Sequence, residues 1–162
     1  MEEQGFIDSR EEMEKILQEE EIGYLGLSLE GRPYVVPLNY SYGDGKIVFH
    51  CGIKGKKLDY LKSNPRVCFS VGRQLGAVRE HAGGNPCHVD SDSVICFGEA
   101  RVIEDLNERQ LALNTFNRRF TPGAADISLE RVMNCCAVEI TVLEMTGRQE
   151  RERKRTCWRH QF

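Results

Sequence analysis

The 162-residue chain has 40% hydrophobic and 29% charged residues, the balance of an ordinary globular domain able to bury about 70% of its extended surface. Its formal charge of -3 gives no general attraction for nucleic acid, and no apolar run approaches the roughly 20 residues that cross a membrane. The acidic start Met1-Glu2-Glu3-Gln4 does not resemble a secretory signal, so one domain spanning 1–162 in the cytoplasm is expected.

A first helix is predicted over 9–20. Ser9 with Glu12 three positions on resembles a capping box, and Met13, Ile16 and Leu17 form a stripe at helical spacing. Three strands follow. Ile22–Leu29 turns at Glu30-Gly31 into Arg32–Tyr42, and Gly43-Asp44-Gly45 leads into Lys46–His50. Pro37 lies inside the second strand and cannot donate a ladder hydrogen bond, so it marks an edge, a bulge or a place where something other than a strand approaches.

The stretch His50-Cys51-Gly52-Ile53-Lys54-Gly55-Lys56-Lys57 then opens a helix that runs to about Lys62 and stops at Asn64-Pro65. A strand emptying into a turn with two glycines and three lysines, followed by a helix, suits a phosphate, because turn amides supply donors and lysines supply charge. A solvated lysine-rich turn is the competing reading.

Arg66–Val71 reads as a fourth strand, and 72–92 as an irregular segment longer than an ordinary connection. That segment holds Glu80, His81, Cys87, His88, Asp90 and Asp92, which could ligate zinc or a haem iron but follow no standard spacing. Ser93–Ile103 is a longer strand. Asp105 and Glu108 cap a helix over Leu106–Phe120, Thr121-Pro122-Gly123 breaks it, and a short helix spans Ser128–Met133. Cys135–Met145 is the last strand, and 148–162 is a basic tail with Arg151, Arg153, Lys154, Arg155 and Arg159. The interleaved Glu150 and Glu152 favour a solvated end for it over an anion-steering one, with Trp158 and Phe162 available to a partner subunit.

Six β segments joined mostly by hairpins predict a mainly β fold with flanking helices, an antiparallel barrel rather than a parallel dinucleotide-binding sheet, and no GxGxxG follows a strand. The seven cysteines include no CxxC pair. Cys68, Cys96 and one of Cys135 and Cys136 read as small buried hydrophobes in a reducing compartment.

Four segments in order, Val36-Pro37-Leu38-Asn39-Tyr40, Phe49 to Leu58, Asn64 to Phe69 and Ser93 to Ala100, resemble the FMN-binding split-barrel group related to pyridoxamine 5'-phosphate oxidase. The resemblance is strongest to the branch of nitroimidazole-resistance proteins and extends from the first helix to about Arg148. It implies a six-stranded antiparallel split β-barrel forming a homodimer, with FMN at the interface. Val35, Val36, Pro37, Leu38 and Asn39 would line the flavin, and His50 and Cys51 would lie near its ribityl-phosphate end. Lys56 and Lys57 would contact the phosphate, and Ser93 and Val94 would approach the cofactor, from the other subunit in one arrangement. Cys87 would face the substrate pocket. The arginine-rich substrate signature of the true pyridoxamine phosphate oxidases is missing, which argues against vitamin B6 synthesis.

The expected activity is electron transfer from reduced FMN to a small aromatic acceptor, such as a nitroimidazole-type nitro compound, with His50 donating a proton or positioning the substrate. The electron donor is left open. The alternatives are a non-catalytic flavin-binding protein, a haem- or metal-binding barrel, and a purely structural barrel.

Overall fold

The computed structural model describes residues 9–80, 86–151 and 154–161. Alternation of apolar and polar residues draws most of the chain into strands: β1 Ile22–Leu29, β2 Arg32–Asn39, β3 Ser41–Gly43, β4 Lys46–Cys51, β5 Arg66–Glu80, β6 Pro86–Val102, β7 Cys136–Arg151 and β8 Lys154–Gln161. Among the described residues four helices complete it: α1 Arg10–Glu19, α2 Lys56–Ser63, α3 Leu106–Phe120 and α4 Leu129–Met133.

The capping oxygens of Ser9 and Asp105 act as expected, whereas Glu108, read as a cap beside Asp105, turns its carboxylate to Arg101. Ser9 Oγ accepts from the Glu12 amide at 3.2 Å, and Asp105 Oδ1 accepts from the amides of Asn107 and Glu108 at 3.0 and 2.8 Å. The β1–β2 and β3–β4 hairpins close with two-residue loops, Glu30-Gly31 and Asp44-Gly45. All four of these residues have positive φ, the backbone that such tight hairpins need.

The strands form one antiparallel sheet in the order β2-β1-β5-β6-β7-β4-β3, with β8 paired to β7. This corrects the expected six-stranded antiparallel split β-barrel on two counts. More strands form, because the second expected strand divides at Tyr40 into β2 and β3 and the tail beyond 153 adds β8. The sheet is also not closed: among the described residues no ladder joins β2 to β3 or β4, which stand at opposite ends of the sheet order. Pro33 and Pro37 deprive β2 of two donors, and a strand short of donors tolerates an edge position. The chain nevertheless passes from one edge to the other through Tyr40 alone, so the sheet curls and leaves an open seam starting at that residue.

The irregular segment expected over 72–92 is also corrected. β5 and β6 continue through most of it as arms of a long hairpin, paired without interruption from Arg66↔Glu99 to Leu75↔Asp90, and irregular only beyond Leu75.

The concave face of the sheet and α1 enclose the main core, with Tyr40, Phe49, Phe69, Met13, Leu17 and Met145 fully buried. On the other face of β7, Ile103, Leu113, Val132 and Ala137 form a second cluster beneath α3 and α4. Arg119 of α3 ties these parts together. Its guanidinium donates to the carbonyls of Tyr40 at 2.9 Å and Gln18 at 2.8 Å, fixing the crossover between β2 and β3 against the end of α1. A second tie is polar: Glu139 of β7 accepts from Lys46 at 3.2 Å and from Arg101 Nε at 3.0 Å. No helix among the described residues is long and apolar enough to cross a membrane.

Candidate functional site

Two lysines straddle the open seam. α2 begins directly after β4, with Gly55 at its N-cap in a left-handed conformation (φ 146°) and no side-chain cap. From the first turn of this helix Lys56 reaches one way, its Nζ 4.5 Å from the centre of the Tyr34 ring on β2. Lys57 reaches the other way, its Nζ 5.2 Å from the Phe49 ring on β4. Each ammonium rests on an aromatic face, a contact that holds it in place without neutralising its charge.

The five residues expected on β2 divide by the pleat. Val36 and Leu38 pack against the main core, while Val35, Pro37 and Asn39 are exposed. The Asn39 amide donates to the Glu21 carbonyl at 3.0 Å, so one of its two N–H donors ties β2 to the start of β1. Cross-strand register extends the exposed face. Pro37 lies opposite Tyr24, Tyr24 opposite Ser70 and Ser70 opposite Ile95. One row over, Val35 lies opposite Gly26, then Cys68 and Phe97. Val35 (60%), Tyr24 (50%), Phe97 (48%) and Ile95 (38%) are all exposed, so the outer face of four adjacent strands is a largely apolar surface with Ser70 between Tyr24 and Ile95.

His50 and Cys51 stand next to each other on β4 but point to opposite faces. Cys51 lies on the core side, opposite Cys136 in the β4–β7 ladder. Burial pushes its thiol above the ordinary value, a rise that Lys57 partly offsets, so Cys51 is a neutral thiol. His50 lies on the other side, its ring edge-on to Phe116 of α3 with centroids 4.8 Å apart. Burial first, and the charge of Lys57 second, lower its pKa below the ordinary value, so the imidazole is neutral at pH 7. Since the folded state disfavours the charged ring, the fold loses stability as pH falls through the ordinary histidine range near 6.5.

His50 opens into a cavity of about 220 Å³ whose other walls are Leu113, Phe116, Asn117, Ile127, Arg131 and Cys135. Sequence reasoning missed these partners. They lie 63 or more positions from His50 and arrive only because α3 and α4 pack on the back of β4 and β7.

Ser93 and Val94 are not brought to this place within one chain. Ser93 pairs with Arg148 and His50 with Ala137, positions on β7 separated by a contour of roughly 35 Å. Val94 is fully buried in the core. Of the cysteines read as buried, Cys96 and Cys136 are buried, whereas Cys68 and Cys135 are only partly covered.

Among the suggested metal or haem ligands, the side chains of Glu80, His81, Cys87 and His88 lie outside the described residues. Asp92 is almost wholly buried and accepts from Arg73 Nε at 3.0 Å. Among the described residues no group of three His, Cys, Asp or Glu is placed to hold a metal ion. The tail's basic side chains, Trp158 and Phe162 also lie outside the described side chains.

The profile of the pyridoxamine 5'-phosphate oxidase family matches residues 9–149. A crystal structure of a candidate 5-nitroimidazole antibiotic resistance protein from Bacteroides thetaiotaomicron is 29% identical, with a TM-score of 0.75 over 87% of this chain and 84% of that one. A FAD-binding protein from Mesorhizobium loti is 26% identical, with a TM-score of 0.63 over 88% of this chain and 96% of that one. A flavocytochrome from Azotobacter vinelandii shares the fold at a TM-score of 0.77 and 18% identity, covering 92% of this chain and 70% of that one. An uncharacterised protein of Rhizobium meliloti is 29% identical over 63 residues, 39% of this chain and 41% of that relative's length. With the family profile matched across nearly the whole chain, this protein belongs to the pyridoxamine 5'-phosphate oxidase family, in its FMN-binding split-barrel group.

Proposed function

We propose that the protein is a flavin-dependent oxidoreductase that holds FMN along the open seam and passes electrons to a small aromatic acceptor of the nitro-compound class. The observation that carries this reading is the pair Lys56 and Lys57. They are cations at one helix start, each braced on an aromatic ring and together spanning a gap between two strand edges. The donor set fits the group. Two ammoniums and the amides of a glycine-led helix start suit a phosphate dianion, and the exposed Val35 and Pro37 suit a flat apolar ring system. The solved relatives described as FAD-binding and as a nitroimidazole-resistance protein support a flavin and a nitro acceptor.

When bound, the flavin supplies the redox chemistry. The chain's own residues bind and orient it. Lys56 and Lys57 fix the phosphate, and β2 presents its unpaired edge and outward side chains to the ring. His50, neutral at pH 7, contributes a hydrogen bond that positions the acceptor rather than a ready proton. His50→Ala is expected to lower kcat/KM for a nitroimidazole on the order of tenfold, the worth of one hydrogen bond, with flavin content unchanged. His50→Gln should recover part of the rate. Equal rates for the wild type and both variants would remove His50 from the site.

The apolar outer face is the second element of the proposal. Tyr24, Val35, Ile95 and Phe97 form the surface through which two copies pair, placing Ser93 of one subunit beside the seam of the other. Phe97→Glu puts a charge on the β6 side of this surface and is expected to convert a dimer into monomers that release flavin, as read by light scattering and absorbance. An unchanged particle mass would reject this interface. The test of the whole reading is the visible spectrum of freshly purified protein. Flavin bands that bleach under anaerobic dithionite and return on adding a 5-nitroimidazole are expected. Colourless protein that leaves the fluorescence of added FMN unquenched would refute it.

A further inference from the structure

The cavity behind His50 is lined by three polar side chains that no described residue satisfies, with His50 and Arg131 exposed to solvent and Asn117 partly covered. Among the described residues the imidazole nitrogens of His50, the side-chain amide of Asn117 and the guanidinium of Arg131 make no hydrogen bond or ion pair, yet all three line the same space of about 220 Å³. Arginines nearby do have partners: Arg118 pairs with Asp126 at 2.5 Å, and Arg109 donates to the Ile103 carbonyl at 2.8 Å. Arg131 stands apart from them.

The walls have a clear character. Leu113, Phe116 and Ile127 are apolar, and Phe116 presents an aromatic surface. Among the described residues no carboxylate lines the cavity, while Arg131 stands in it and the charge of Lys57 reaches His50 from behind. The exposed Arg131 guanidinium at the mouth of this space recognises a planar anion through parallel donors, and carboxylate is the group whose geometry matches that fork. The volume falls below the about 300–1,000 Å³ of sites for drug-sized ligands, which limits the occupant to a single ring with one substituent or two.

We infer that this cavity is a binding site for small aromatic carboxylates. Arg131 pairs with the carboxylate, Asn117 supplies a further hydrogen bond, Phe116 and Leu113 cover the ring, and His50 meets its far end. The inference rests on the function proposed above only in making the occupant the electron acceptor; the binding site itself requires no flavin. The acceptor class then narrows from nitroaromatics in general to those carrying a carboxylate.

The test uses the full-length protein as purified and 4-fluorobenzoate as the probe, followed by fluorine NMR. The wild type is expected to bind it at millimolar concentration or below, whether or not flavin is bound. Arg131→Met is expected to weaken binding at least about tenfold, the loss of one charge-assisted pair, and Arg131→Lys to weaken it less. Asn117→Asp, which adds a negative charge to the wall, should also weaken it. The uncharged 4-fluorobenzamide should bind the wild type and Arg131→Met alike. Arg131 is exposed on a short helix, so Met there leaves the core intact. Absence of 4-fluorobenzoate binding, or equal affinity in the wild type and Arg131→Met, would overturn the assignment. Flavin content measured on the same samples keeps this failure distinct from a failure of the seam.

Discussion

Replacing Lys56 and Lys57 together with alanine is expected to weaken FMN binding by about two to four orders of magnitude while leaving the protein folded. Each ammonium bonded to a phosphate is a charge-assisted interaction worth roughly 1.5–3 kcal/mol, and removal of both leaves only backbone amides to meet the dianion. The fold should persist because each lysine contributes only cation–aromatic contacts to it, about 0.5–1 kcal/mol at an exposed position such as Lys56 and up to about 2 kcal/mol at the half-buried Lys57. The single variants should differ. Lys57 also acts on His50 and Cys51, lowering the pKa of both. Lys57→Ala should therefore raise the His50 pKa as well as weaken the flavin, whereas Lys56→Ala should affect the flavin alone. Fluorescence titration with FMN reads the affinities, and histidine proton shifts read the ring. Wild-type affinity in the double variant would show the lysine turn to be merely a solvated surface.

Much of the frame was legible because its signals are local. The pair Ser9 and Glu12, the cap Asp105 and the loops Glu30-Gly31 and Asp44-Gly45 each specify their geometry within a few residues, and the structure uses them all. The long hairpin arms were not legible for a physical reason. Asp92 reads as a loop residue, yet it is buried in β6, and Arg73 of β5 makes that possible by donating to it from the facing strand. A charged partner on another strand cannot be seen in a local pattern. The open seam was half visible. Pro37 marked an edge, a bulge or the approach of something other than a strand, but that β2 and β4 would remain unpaired to each other depends on the curl of the whole sheet. The cavity behind His50 was invisible, since Asn117 and Arg131 come from helices whose own apolar faces encode only their packing.

Phe69→Ala is expected to destabilise the protein by about 3–5 kcal/mol, a large part of the 5–15 kcal/mol typical of a domain, and to lower Tm by about 6–20 °C. Phe69 is fully buried and stands edge-on to Tyr40, with ring centres 4.8 Å apart. Its ring also lies over Gly23 of β1, where an added Cβ would come within 2.1 Å of the ring. That contact makes a sharper test than the single loss. Gly23→Ala alone overpacks the site and should cost about 1–3 kcal/mol. In the Phe69→Ala background the same methyl enters vacated space, so the double variant should be more stable than the sum of the two losses predicts, by about 0.5–3 kcal/mol. Urea midpoints of the four proteins give the coupling, and strict additivity would show that the ring yields elsewhere. The consequence reaches the seam. Tyr40, which Phe69 supports, is the residue through which the chain crosses between the two unpaired edges, and Arg119 holds its carbonyl. Loosening that crossover lets β2 drift from β4, so a Phe69→Ala protein still folded at low temperature should also bind FMN more weakly, though none of its lost atoms belongs to the site.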